Sequence, residues 1–186
     1  MTTVQLNRHK ISVSDYHRMA ASGILMEDDR IELLNGEMIE MSPIGPSHTA
    51  HVKAINRVLS KLLDGQAIIG VQDPIVLDNL SEPVPDISVL KWRADDYLLA
   101  HPTPKEVLLV IEVADSSIAI DRTIKLPIYA AAGIADYWII NLPDKKIELY
   151  SNPLGAVYQA ISEATIDDEV MLPGFNLSIP VKALLK

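Results

Sequence analysis

VLLVIEV, residues 107–113, is the stretch that decides the fold. Val107 to Ile111 are apolar without a break, which a strand with one wet face does not show, so the run reads as a central strand covered on both faces. Glu112 then stands where one of those faces expects an apolar side chain. A buried carboxylate is costly unless it is paired or metal-bound. A second apolar run, Ile87–Leu90, opens directly after Pro85-Asp86. If the two strands are neighbours, Asp86 and Glu112 share a small volume, and a divalent cation is the usual relief for such repulsion. Lys125 follows on the next helical segment, where its ammonium would meet a negatively charged substrate. Two acids and a lysine in this order outline a magnesium-dependent phosphodiesterase.

Working outward, Ile31–Leu34, Asn35-Gly36 and Glu37–Met41 form a hairpin signal, because Asn-Gly supplies the positive φ angles of a type I′ turn. Residues 1–30 read as an N-terminal extension, with Ser14-Asp15 capping a helix through Tyr16, Met19 and Ala20. Residues 31–186 read as one domain. After Ser47, the apolar positions Val52, Ile55, Val58, Leu59, Leu62 and Leu63 keep helical spacing. Ala67–Gln72 and Ile75–Leu77 are short strand candidates. Asp121 to Ala132 reads as a helix stopped by Gly133, with Pro127 predicting a kink or a late start. Asp136–Leu142, Lys146–Tyr150 and Ala156–Ile161 follow as a meander, then a last strand, Asn176–Ile179, and the tail Val181–Leu185. The order implies an α/β (α+β) fold with a mixed β-sheet flanked by helices. No glycine-rich phosphate loop follows any strand, which argues against nucleotide-cofactor folds.

The 186 residues are enough to bury roughly 70% of the surface of the unfolded chain. With 48% hydrophobic residues, the composition argues against global disorder. The chain has no cysteine, which removes disulfides, thiolate zinc sites and cysteine nucleophiles. There is no signal-peptide pattern at the N-terminus and no run near the roughly 20 apolar residues of a spanning helix, so a cytoplasmic protein without membrane contact is expected. Sixteen Lys and Arg against 25 Asp and Glu leave a net charge of −9, and no basic stripe marks a nonspecific nucleic-acid binder.

Each candidate has a plainer reading. Asp86 alone is a polar strand end, and Glu112 with Lys125 is a structural salt bridge. Lys125 with Asp121 is an i,i+4 surface pair worth only about 0.3–0.5 kcal/mol. His48 and His51 lie at i,i+3 near a helix start, but His-x-x-His without a third ligand is a weak metal signal. His48 is the one expected to line the cleft. Trp138 reads as a core or interface aromatic. Ser116 and Ser117 lack a partnered His and Asp, which argues against a serine hydrolase.

The pattern PDIS (85–88), LLVIEVADSS (108–117) and DRTIKLPIYAAAGIADYWIIN (121–141) resembles the Uma-two family of restriction endonucleases, within the PD-(D/E)xK nuclease-like superfamily. The resemblance runs from about Ile31 to Phe175 and is most specific over Val110–Asn141. It implies a restriction-endonuclease-like core and catalytic roles for Asp86, Glu112 and Lys125. It further implies Mg2+ (or Mn2+) held by Asp86, Glu112 and the Val113 backbone carbonyl. The lysine of the plain motif, two residues after Glu112, is replaced by Ala114, and the family pattern maps it to Lys125. Glu37 resembles the family's Gly-Glu element and is a candidate further carboxylate. Asp121 and Tyr129 fit as residues that orient Lys125 and pack its helix. The resemblance implies an endonuclease acting on nucleic acid, above all DNA, as a homodimer. Two other classes fit the acidic composition: a catalytically weak or inactive nuclease-fold binding or assembly module, and a magnesium-dependent phosphohydrolase of small molecules.

Overall fold

The computed structural model describes residues 8–26 and 28–185. Its centre is a six-stranded sheet in the order β3 (Ala67–Val71), β4 (Ile87–Lys91), β5 (Val107–Ala114), β6 (Asp136–Asn141), β7 (Lys146–Leu154) and β8 (Val157–Thr165). All neighbours are antiparallel except β5 and β6, which run parallel and therefore need a crossover. That crossover is helical: α3 (Ile118–Ile120), a π-helical turn (Asp121–Lys125) and α4 (Leu126–Ala131). The mixed sheet flanked by helices is the fold class the sequence implied.

The apolar character of β5 has a direct cause. Leu109, Ile111 and Val113 are buried on the face covered by α2 (Pro46–Leu62) and α5 (Val181–Leu184), together with Val52, Ile55 and Leu59 of α2. Val110 and Ala114 are buried on the other face, with Ile128, Tyr129 and Ala130 of α4. Strand alternation puts Glu112 on this second face, among Val110, Ala114 and the helix that carries Lys125. Trp138 packs into the α2 side of the core.

The hairpin β1 (Ile31–Leu34) and β2 (Glu37–Glu40) stands apart from the large sheet. Its turn residues Asn35 and Gly36 have φ 52° and 77°, the left-handed pair a type I′ turn requires. The helix α1 (Val13–Ala21) is tied to the hairpin and to its neighbouring loop: the Tyr16 hydroxyl donates to Ile31 O at 2.9 Å, and Val13 N donates to Asn79 O at 2.8 Å.

Several details differ from the sequence expectation. The cap of α1 is Ser12, whose Oγ accepts from Asp15 N at 3.1 Å, not Ser14-Asp15. The helix α2 starts one residue before Ser47, with Gly45 as cap and Pro46 in its first turn, where a missing N–H costs nothing. Residues 75–77 form no strand, because their amides donate to three separate loop carbonyls: Pro83, Pro102 and Ser81. The helix before Gly133 begins early, at Ile118, and Pro127 is accommodated by the π turn preceding it, in which Leu126 N reaches back to Asp121 O. A second small hairpin pairs β9 (Glu169–Met171) with β10 (Ser178–Pro180), and β9 carried no signal strong enough to be expected. No helix among the described residues is long and apolar enough to cross a membrane.

Candidate active site

β4 and β5 are antiparallel with Ile87 opposite Ile111, so one step further along the register Asp86 stands opposite Glu112. Each acid accepts an amide from the other's strand. Asp86 N donates to Glu112 Oε2 at 3.3 Å, and Val113 N donates to Asp86 Oδ2 at 2.9 Å. The crossover helix then brings Lys125 back over β5. Its Nζ lies 3.1 Å from Glu112 Oε1 and 3.1 Å from Glu32 Oε2. The Tyr129 hydroxyl, one turn further on, donates to Glu112 Oε1 at 3.0 Å. Asp121 enters from the start of the π turn, held by the Ser117 hydroxyl at 2.7 Å. Glu32, Asp86, Glu112, Asp121 and Lys125 are all buried, yet all line one cleft, closed on its other side by the 39–45 segment and His48.

The electrostatics of this cluster are unbalanced. Burial pushes the Glu112 carboxyl well above the usual range; Lys125 pulls it down, while Asp121, Asp86 and Glu32 push it further up. Burial likewise raises Asp121 to about 6, against the pull of Lys125 and the Ser117 hydrogen bond. Asp86 goes the other way. Burial would raise it, but hydrogen bonds from His48, the Val113 amide and Gln72, with the charge of His48, hold it below its ordinary value. Burial would lower Lys125, and the carboxylates of Glu112, Glu32 and Asp121 raise it instead. The two facing acids are thus shifted in opposite directions, Asp86 down and Glu112 up.

A family model described as "Putative restriction endonuclease", Uma2, matches residues 13–182. The chain belongs to the Uma2 family. The match includes α1, part of the stretch set aside from sequence as an extension. Among solved structures, a protein of Anabaena variabilis, titled a putative nuclease belonging to DUF820, is similar to this Uma2 chain at 20% identity. The alignment covers 94% of this chain and 97% of that one, with a TM-score of 0.69, and shows a shared fold. A search of curated proteins gave no match.

In this Uma2 chain Asp86, Glu112, Lys125, Asp121 and His48 come together in the cleft, and Glu37 does not. Glu37 is half exposed, 3.4 Å from the Arg8 guanidinium. The hairpin acid that reaches the cleft is Glu32, on the inward face of β1, also held by Val84 N at 3.2 Å. Its signal was present in Ile31-Glu32-Leu33-Leu34, where an acid interrupts an apolar strand as Glu112 does. His48 Nε2 lies 2.9 Å from Asp86 Oδ2, and its buried Nδ1 has no hydrogen-bond partner among the described residues. His51 turns its Nδ1 to Ser47 O at 2.8 Å, so the two histidines do not converge. Gln72, absent from the sequence candidates, donates from Nε2 to Asp86 Oδ1 at 3.2 Å. The exposed Lys125–Asp121 pair is not what forms, since Lys125 is buried between Glu32 and Glu112. Tyr129 orients Glu112 rather than the lysine.

Proposed function

We propose that this Uma2 chain is a divalent-metal-dependent endonuclease that hydrolyses phosphodiester bonds of nucleic acid, with DNA as its substrate class. The observation that carries the reading is the buried cluster of four carboxyl groups around one lysine, lining a cleft at the ends of β4 and β5. Membership in a family described as "Putative restriction endonuclease" supports it.

The donor chemistry fits a hard cation. Glu32, Asp86, Glu112 and Asp121 offer oxygen only, and burial, with the neighbouring carboxylates adding to it, raises Glu112 and Asp121. Among the described residues no three acid or histidine side chains already converge as a metal-holding group, and Asp86 and Glu112 are turned to protein donors. Asp86, Glu112 and the Val113 carbonyl would hold Mg2+ or Mn2+. Such an ion supplies an acidified water and neutralises developing charge on phosphorus. The protein's own part is then definite. His48, Gln72 and the Val113 amide keep Asp86 ionised and oriented. The Asp86 amide, the Lys125 ammonium and the Tyr129 hydroxyl hold Glu112 in one orientation at the cleft. Lys125, locked between Glu32 and Glu112, holds these acids in place and lends them its field.

Cleavage of plasmid, linear duplex, single-stranded DNA and RNA with Mg2+ or Mn2+, comparing wild type with Glu112→Ala, tests the proposal. Metal-dependent cleavage by wild type and none by the variant is expected. Equal cleavage by both, or none by wild type on any substrate, would sink it. Action as a homodimer, each copy cutting one strand, belongs to the same proposal and is checked by sedimentation at assay concentration.

A further inference from the structure

We infer that Arg30 is the side chain that receives a backbone phosphate of the substrate, an assignment that rests on the nuclease reading above. Among the described residues, the cleft is lined by six acids, Glu32, Glu40, Asp86, Glu112, Asp115 and Asp121, and two permanent cations, Arg30 and Lys125. A polyanion approaching that lining meets repulsion, which a metal held by Asp86 and Glu112 would offset at one point only. Somewhere along its path the strand needs a positive partner with hydrogen bonds to give.

Lys125 is not that partner. Its side chain is 7% exposed, and both of its ion pairs are 3.1 Å long. Turning toward a substrate would leave two buried carboxylates behind, a change costing several kcal/mol. Arg30 is placed differently. It precedes β1 at the open end of the hairpin, where Met41 N donates to its carbonyl at 2.7 Å and fixes its backbone against β2. Its side chain is partly exposed, and among the described residues it has no carboxylate within ion-pair distance. One nitrogen, Nη1, donates to Ser42 O at 3.2 Å. That tether restrains the guanidinium on the cleft wall and leaves Nε and Nη2 without a protein acceptor among the described residues. A planar pair of N–H donors on a restrained arginine matches two oxygens of one phosphate. A net charge of −9 with no basic stripe makes one such contact matter more, not less.

The test is fluorescence anisotropy of labelled duplex and single-stranded DNA binding to the full chain in Ca2+, over a series of KCl concentrations, with cleavage in Mg2+ run alongside. Arg30→Met is expected to weaken binding about ten- to a hundredfold, the scale of a lost charged hydrogen bond. Its log–log salt slope should also fall by about one, the signature of one phosphate contact. Arg30→Lys should keep the slope and lose part of the affinity, because charge survives and the paired donors do not. Unchanged affinity and slope in Arg30→Met would overturn the assignment and leave the nuclease reading standing. Weaker binding with an unchanged slope would also overturn it, since the effect would then come through the Ser42 loop. A wild type that neither binds nor cleaves any nucleic acid would end the nuclease reading, and this one with it.

Discussion

Replacing Lys125 by Met removes a charge but little volume, and the structure sets the size of the effect. Lys125 Nζ is shared between Glu32 and Glu112, each 3.1 Å away and each buried. Losing one partner of a buried pair costs about 3–5 kcal/mol. Part of that is absorbed here, because burial raises Glu112 and Lys125 is what pulls it down, so the acid can take up a proton once the lysine is gone. The lower end, about 3 kcal/mol, is therefore expected, a fall in melting midpoint of roughly 6–12 °C for a domain of this size. The loss should shrink as pH falls, since protonating the stranded acids removes the charge they carry. Adding Glu112→Gln to Lys125→Met should cost less than the sum of the single changes, because the two side chains touch. Calorimetry in chelator at about pH 7.5 and pH 5, on wild type, both single variants and the double variant, measures all of this. A Lys125→Met midpoint equal to wild type at the higher pH would refute the buried-pair argument.

The acid cluster also sets a pH dependence: burial raises Asp121 to about 6 and Glu112 well above its usual range, so the stability they contribute is full below their unfolded values near 4 and is lost as pH rises, for Asp121 through about 6. The melting midpoint in chelator should therefore rise between about pH 7.5 and pH 5, and Asp121→Asn should flatten that rise. Arg122→Ala leaves the buried Glu148 with Asn141 and Tyr150 as its side-chain donors among the described residues, and should cost about 2–3 kcal/mol in urea unfolding. Glu148 is itself held down to about 2, because the hydrogen bonds of Arg122, Asn141 and Tyr150 outweigh its burial. Its share of stability should fade as pH drops from about 4.5 toward 2. Gly36→Ala forces a side chain onto φ 77° and drives its Cβ to 2.6 Å from Lys10 Cβ. About 2 kcal/mol should be lost, read as a lower urea midpoint with unchanged slope.

Much of this arrangement was legible because one physical rule governs it. An acid inside an apolar strand is a misfit that something must compensate, and Glu112 showed this within a single run of letters. The same rule is visible at Glu32, but Glu37 follows the Gly36 turn, and the packing of β1 decides which of the two faces inward. The Asn35-Gly36 turn was readable because positive φ restricts residue choice locally. Residues 75–77 were not, since their apolar side chains are buried by loops with no period of their own. Gln72 was silent for a related reason: its left-handed φ of 56° and its reach to Asp86 depend on where β3 ends, not on residue type.

The π turn at Asp121–Lys125 has a consequence for how this chain tolerates length change. A π turn holds one more residue than the α-helical turn it replaces, and the surplus shifts the angular phase of everything on one side of it. Deleting a single residue there would give a more regular helix with better backbone hydrogen bonding. The same deletion would rotate the preceding segment by about 100° relative to α4, one residue's step around an α-helix. Asp121 and Ser117 would leave the cleft while Lys125 and Tyr129 stayed. Local backbone energy therefore favours losing that residue, and only the contents of the cleft oppose it, so a shortened chain is expected to fold well and to lack one wall of its site.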